Sequence, residues 1–200
     1  MKILVACESS GAVRNAFIEQ GHNAMSCDLL DSVNGGSHYT GNVMDIIYQP
    51  WDLLIAHPPC TYLSFSGLHW NYRRPERAAQ TEEAIKFAQL FIDGCKHIPL
   101  RCVENPIGCL STKVRKPDQI IQPHQFGADA SKATCLWLVG LPKLKATEHV
   151  SPRIIDGKSR WANQTDGGQN KLAPSPDRWR ERSKTYLGIA RAMAQQWGAL

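Results

Sequence analysis

The sequence predicts an α/β domain built on a mostly parallel sheet with an antiparallel edge. Up to Val103, short apolar runs such as Leu53-Leu54-Ile55-Ala56 alternate with helical or polar stretches, the order of an open parallel sheet. Beyond Glu104 the runs Gln119 to Gln122 and Thr134 to Val139 follow one another with no helix between them, which predicts antiparallel pairing at a sheet edge. Polar residues gather where the runs end, on what becomes one rim of the sheet.

Taken in order, Lys2 to Cys7 is the first strand, and the polar turn Glu8-Ser9-Ser10-Gly11 follows it. Ala12 to Gln20 is a short helix with Val13, Ala16 and Phe17 on one face, ended by Gly21. Asn23 to Cys27 is a second strand, closed by Asp28, and residues 31–41 form a loop rich in Gly, Ser and Asn. Val43 to Ile47 is expected as a short third strand, and Trp51 to Ala56 as the fourth. Pro58-Pro59 ends that run, because proline fixes φ, offers no N–H and disfavours helix in the residue before it. Cys60 is thus held on a stiff turn, which suits a nucleophile that must meet its target within tenths of an ångström. Arg74 to Cys95 is the long helix, with Ala84, Ala88, Phe91 and Ile92 as its buried face, and Pro99 to Val103 is the fifth strand. Lys184 to Trp197 is the last helix, with Tyr186, Ile189, Ala190, Met193 and Trp197 at three- and four-residue spacing.

Composition narrows the function classes. The 200 residues suit one domain with a small appendage, and no run approaches a membrane span. The N-terminus enters a strand pattern with no signal-peptide cleavage site. Seven cysteines without a C-x-x-C pair point to a reducing compartment and no structural zinc, and no metal site is expected. A net charge of +5 permits nucleic acid without requiring it.

In an open α/β sheet, ligands bind beyond the carboxyl ends of the strands. That rim holds Glu8-Ser9-Ser10-Gly11, Asp28, Asp45, His57 to Cys60 and Glu104-Asn105-Pro106. The first turn should offer helix N–H groups to an anion, Asp28 should accept from ribose hydroxyls, and Asp45 from an adenine amino group. Each acid alone reads better as a solvated loop residue or a helix cap; their joint order carries the reading.

Pro58-Pro59-Cys60-Thr61-Tyr62-Leu63-Ser64, followed by Val103-Glu104-Asn105-Pro106, resembles the DNA cytosine-5 methyltransferase family. That family carries Pro-Cys-Gln with a serine four positions after the cysteine, then Glu-Asn-Val. The resemblance covers most of residues 1–142 and the last helix, and is nearest to short, phage-type members. It implies a Rossmann-like S-adenosylmethionine-dependent methyltransferase fold. It implies Cys60 as the thiolate that adds to carbon 6 of cytosine, making carbon 5 nucleophilic. Glu104 would hold a proton at the ring's N3 edge, its pKa raised by burial, and Asn105 would brace the loop. The methyl donor S-adenosylmethionine would be held by Glu8, Ser9, Ser10, Gly11, Asp28, Asp45 and Pro58. Pro59, Ser64, Lys132, Thr134 and Arg160 would contact the substrate, a DNA base flipped from a duplex or already single-stranded. A cytoplasmic setting, in a bacterium or phage-infected host, accompanies the resemblance.

Several positions depart from the family. Only Gly11 remains of the Phe-x-Gly-x-Gly glycines, Thr61 replaces glutamine, and Pro106 replaces valine. Gln-x-Arg-x-Arg is absent; Ser131-Lys132-Ala133-Thr134 stands in its place. Residues 1–142 and 183–200 are expected to form the catalytic domain. Residues 143–182, with nine Lys/Arg and five Asp/Glu, are expected to form an irregular basic insert in the place of a target-recognition region. Arg153, Lys158, Arg160, Trp161, Arg178, Trp179, Arg180 and Arg182 would contact phosphates or stack on bases. Two other readings stay open: an amino-methyltransferase, suggested by the prolines of His57-Pro58-Pro59-Cys60, and a catalytically silent nucleic-acid-binding relative; free nucleotide or RNA also stays open as the substrate.

Overall fold

The strands of the sheet's centre are made of residues apolar on both sides, so they fold where two layers can cover them. A computed structural model describes residues 1–175 and 178–200, the side chain of Trp179 excepted. The strands are β1 (Lys2–Ala6), β2 (Asn23–Asp28), β3 (His38–Thr40), β4 (Leu53–Ala56), β5 (Leu100–Pro106), β6 (Gln119–Ile121) and β7 (Thr134–Val139). They form one seven-stranded sheet in the order β3-β2-β1-β4-β5-β7-β6. Pairing is parallel from β3 through β5, and β7 runs antiparallel to both β5 and β6. The mostly parallel Rossmann-like sheet with an antiparallel edge expected from the sequence is therefore present.

The helices are α1 (Ala12–Glu19), α2 (Phe65–Leu68), α3 (Pro75–Gln89), α4 (Leu110–Lys113), α5 (Arg178–Ser183) and α6 (Leu187–Trp197). Alternate strand residues face opposite layers. Leu4, Ala6, Leu54, Ala56 and Val103 pack with Ile85, Phe91 and Ile92. Ile3, Val5, Leu53, Ile55 and Cys102 pack with Phe17, Ile189, Met193 and Trp197. The buried indole of Trp197 donates to the carbonyl of Pro142 at 2.9 Å, tying α6 to the chain just beyond β7.

Four expectations are corrected. Val43 to Ile47 is not a strand: Val43–Asp45 forms a 3-10 turn, and the third strand is His38–Thr40, inside the segment read as loop. Val43, Ile46 and Ile47 are the buried residues, a helical spacing, and the Asn42 side chain caps the turn by accepting from the Met44 N–H at 3.0 Å. The long helix widens at its end into a π turn, Leu90–Gly94, where Cys95 N–H donates to Leu90 O. Its buried face includes Thr81 and Ile85, while Ala84 is half-buried. The last helix starts at Leu187, because Tyr186 is extended at its N-cap. β5 does not stop at Val103; it continues through Glu104 and Asn105 to Pro106, because β7 pairs with it to Thr134.

The insert is also more regular than expected. It holds a hairpin of β8 (Arg153–Ile155) and β9 (Lys158–Arg160), turned at Asp156 and Gly157, both with positive φ. α5 lies within it save for its last residue. Buried Leu144 exchanges two backbone bonds with the Gln119 side chain, and Lys145 does the same with Gln196.

Trp197→Ala should lower the unfolding free energy by about 4 kcal/mol, since a fully buried indole leaves a cavity and an unmet carbonyl. Ile120→Ala, on a half-exposed side chain, should change it by less than about 1 kcal/mol in the same urea titration.

Candidate active site at the carboxyl edge of the parallel strands

β1 is flanked by β2 on one side and β4 on the other, so the sheet's topological switch point lies between β1 and β4. Hydrogen bonds open both turns there. Glu8 N–H donates to Cys27 O at 3.0 Å, and His57 N–H donates to Ala6 O at 2.9 Å. The Glu8–Gly11 turn and the His57–Cys60 turn therefore leave the sheet side by side.

Pairing of Ala56 with Val103 brings the end of β4 level with Glu104. His57 Nδ1 and Glu104 Oε2 meet at 2.6 Å, both side chains nearly buried. Asn105, buried, donates from Nδ2 to the Pro58 carbonyl at 2.7 Å and pins the proline turn to β5. The turn is held again farther on, where Cys109 N–H donates to Leu63 O at 2.9 Å and Ser64 bridges to Gly108. A Cβ on Gly108 would lie 2.0 Å from Leu63 O, so only glycine lets the two backbones approach. Pro58 is buried; Pro59 and Cys60 are exposed at the lip.

Charge around the sulfur is mixed. Crowding by the protein pushes the Cys60 thiol up and Glu104 adds to this, while Lys132 and Arg182 pull it down; the net direction is up. Burial alone would raise Glu104, but the hydrogen bond and charge of His57, with Lys132, outweigh it and hold the carboxyl below its ordinary value. Burial likewise opposes charge on His57, but Glu104 and then Glu8 overcome it, against Lys132, and raise the imidazole. The expectation that burial keeps Glu104 protonated is thus corrected: its neighbour is a base that the sequence reading passed over. The second ring nitrogen of His57, Nε2, is buried without a protein partner.

The other half of the rim departs from expectation in one respect. The α1 N-terminus does not present free N–H groups. Buried Glu8 accepts from the N–H groups of Val13 (2.7 Å) and Arg14 (3.3 Å), and Ser10 Oγ accepts from Ala12 N–H. The carbonyls of Ser9 and Ser10 accept from Val33 N–H and the Asn34 side chain. Gly11 takes the left-handed conformation, φ 69°. Beneath it, fully buried Arg14 donates to Ser26 Oγ, Ser32 Oγ and the Ser37 carbonyl, fastening the 32–37 loop to this turn. Nothing in the sequence pattern singled out Arg14, which sits on the apolar side of a short amphipathic helix.

Asp28 ends β2, half-buried, and one carboxylate oxygen accepts from Leu30 N–H at 3.0 Å. Exposed Asp45 accepts from the Tyr39 hydroxyl at 2.9 Å through one oxygen. Both carboxylates raise the pKa of Cys27 after burial does, so they share one neighbourhood. Each has a second oxygen to offer a ligand.

The proposed substrate contacts divide. The charge of Lys132 is felt at Cys60, His57 and Glu104, while its ammonium donates to the Arg182 carbonyl at 2.8 Å. Buried Thr134 donates to the Lys132 carbonyl at 3.1 Å, supporting that turn from within β7. Ser64, half-buried, bonds with Ser66. Arg160 bonds inside the insert, to the carbonyls of Asp166 and Ser159. Of the insert's other residues, Asn163 exchanges two bonds with Ser131, and Trp161 stacks on His124 at 4.6 Å. The Trp179 side chain lies outside the described residues. No group of three or more His, Cys, Asp or Glu suited to a metal occurs among the described residues.

No protein-family model matches the chain, and no curated protein matches it in sequence. Among solved structures it is similar to a protein assigned as a DNA modification methyltransferase encoded within a prophage of E. coli, at 15% identity and TM-score 0.49, covering 77% of this chain and 53% of that one. It is also similar to a triple mutant of DNMT2 from Spodoptera frugiperda, at 16% identity and TM-score 0.45, covering 79% of this chain and 56% of that one. The chain spans about half the length of both.

The His57–Glu104 pair gives stability a pH signature. The raised imidazole contributes fully below its unfolded value of about 6.5 and loses its contribution as pH rises through the folded value. The depressed carboxyl contributes above its unfolded value of about 4.3 and loses its contribution as pH falls through the folded value. The gap in unfolding free energy between wild type and His57→Gln/Glu104→Gln should be widest between about pH 4.3 and 6.5. Urea titrations across pH check this; a gap that does not vary with pH contradicts it.

Proposed function

We propose that the protein transfers a methyl group from S-adenosylmethionine to carbon 5 of cytosine in DNA through a covalent adduct at Cys60. The observation that carries this reading is the convergence of three groups: an exposed cysteine on a proline-stiffened turn, a carboxyl on the adjacent strand, and the asparagine that locks the two together. The charge of Glu104 is felt at the Cys60 thiol, which supports the reading that both face one base. A thiolate and a carboxyl facing one pyrimidine are what addition at carbon 6 requires.

The donor half fits the same reading. Asp28 and Asp45 each keep a carboxylate oxygen for ribose hydroxyls and an adenine amino group. In this reading Glu8, Ser9, Ser10 and Gly11 hold the near side of the donor site through their bonds to α1 and the 32–37 loop. When bound, the donor supplies an electrophilic methyl group. The protein's residues orient the base, hold the proton at N3 and carry the nucleophile. Pro58 and Pro59 set the path of the turn, and Ser64 lies at its far end beside Gly108.

Residues 143–182 serve in this proposal as a reduced target-recognition region beside a catalytic domain of residues 1–142 and 183–200. Its bonds from Asn163 to Ser131 and from Lys132 to Arg182 set it against the site. Arg160 and the exposed arginines nearby then meet phosphates at a distance from the base. The amino-methyltransferase reading finds no support here: His57 points its ring to Glu104, and neither an acid nor an aromatic ring stands at that turn in the order that chemistry uses.

Cys60→Ser should abolish transfer of a labelled methyl group to unmethylated genomic DNA. Wild type should form a denaturation-resistant adduct with DNA containing 5-fluorocytosine, because the fluorine cannot leave as a proton does. Turnover by Cys60→Ser at the wild-type rate overturns the covalent route. Label found on an exocyclic amine by nucleoside mass spectrometry overturns the choice of carbon 5. Binding to DNA should also weaken steeply with salt, the slope falling by about one for each phosphate contact removed from the insert.

A further inference from the structure

The proposed chemistry leaves Glu104 with a deficit. As thiolate adds to carbon 6, the electron pair of the C5–C6 double bond shifts through C4 to N3, and N3 must take a proton. Glu104 faces this demand while bonded at 2.6 Å to His57. A carboxylate already neutralised by an imidazolium has no proton of its own to give.

We propose that His57 is the positioning residue that stores this proton, so that His57 and Glu104 act as one proton-sharing dyad. The inference rests on the reading of the reaction just given. His57 is the one protonatable side chain within hydrogen-bond distance of Glu104 among the described residues. Its Nδ1 is on the carboxylate, and its Nε2 is sealed from solvent with no protein partner, so its proton exchanges through Glu104. In this role it acts on the base through its neighbour. The charged and titratable groups that face the dyad are Glu8 from the end of β1, Lys132 from the turn before β7, and the Cys60 thiol. Glu8 favours the protonated imidazole, and Lys132 favours the ionised carboxylate while opposing charge on the imidazole; the 2.6 Å contact with Glu104 keeps the proton on the His57 side at rest.

The step balances. The Cys60 thiol proton leaves to solvent, and the sulfur–carbon 6 bond forms. The dyad's proton passes to N3, leaving neutral imidazole and carboxylate. Carbon 5 then takes the methyl group, the bond from the donor's sulfonium sulfur to that methyl breaking so that the donor would leave as a neutral thioether. The N3 proton returns to the dyad, carbon 5 loses its own proton to solvent, the sulfur–carbon 6 bond breaks, and the Cys60 thiolate regains a proton from solvent.

The test compares wild type with His57→Gln, which keeps a hydrogen bond to Glu104 but cannot store a proton. Methyl transfer to unmethylated genomic DNA is followed as kcat and KM across pH. In wild type the rate should fall on the alkaline side as the dyad loses its proton. In His57→Gln, kcat should fall about a hundredfold. KM should hold, and the alkaline limb should move to lower pH, where the carboxyl must carry its own proton. Imidazole NMR of wild type and Glu104→Gln gives a second readout independent of turnover. His57 should titrate above the ordinary range only while Glu104 is present. An alkaline limb that stays in place in His57→Gln, with methyl transfer intact in wild type, overturns the dyad alone. So does a His57 that titrates alike in wild type and Glu104→Gln. No transfer by wild type, with the NMR shift intact, overturns the reading of the reaction and this inference with it.

Discussion

The register of β4 against β5 is the constraint from which the site follows. With Ala56 opposite Val103, the next residues out of the sheet are His57 and Glu104, and the next again are Pro58 and Asn105. Both resulting contacts, the 2.6 Å pair and the bond to the Pro58 carbonyl, need that alignment. A slip of one residue would turn Glu104 to the opposite face and bury a charge in the layer of Ile85, Phe91 and Ile92. Apolar strands alone give a weak register; here the buried polar partners fix it. Such a pair need not add net stability, but removing one partner leaves a buried charge without compensation.

The first turn obeys a similar logic with different residues. Glu8 caps α1, and Arg14 from that helix reaches under the turn to the 32–37 loop. A buried acid and a buried base thus hold the strand ends of β1 and β2 in one frame, with Asp28 and Asp45 on its open side. The usual glycine-rich turn brings helix N–H groups to a ligand. Here a carboxylate already occupies them, and the acceptors left on the rim are the side-chain carboxylates of Asp28 and Asp45.

Two residues of the rim gain a physical account from these contacts. His57 stands at the start of the proline turn and meets the Glu104 carboxyl. Lys132 is tethered by the Arg182 carbonyl at the insert's end. A point charge on a flexible stem steadies an anion without fixing its plane. In the proposed reaction, orientation of the base falls to the stiff turn and its anchors at Asn105 and Gly108.

Much of this was legible beforehand, because it is local. Alternating apolar runs gave the parallel strands, and prolines after an apolar run marked the turn that carries Cys60. The absence of a helix between residues 122 and 134 marked the antiparallel edge. What misled was equally local: Val43 to Ile47 is β-branched enough to suggest a strand, but its buried residues recur at three and four. The partner of Glu104, the role of Arg14 and the close approach at Gly108 join residues far apart in the chain, so no window of sequence contains them. The chain by itself determined which groups of chemistry exist and on which rim they stand. Only the tertiary structure decided their protonation, since burial and a neighbour 47 positions away set opposing shifts that only packing can weigh.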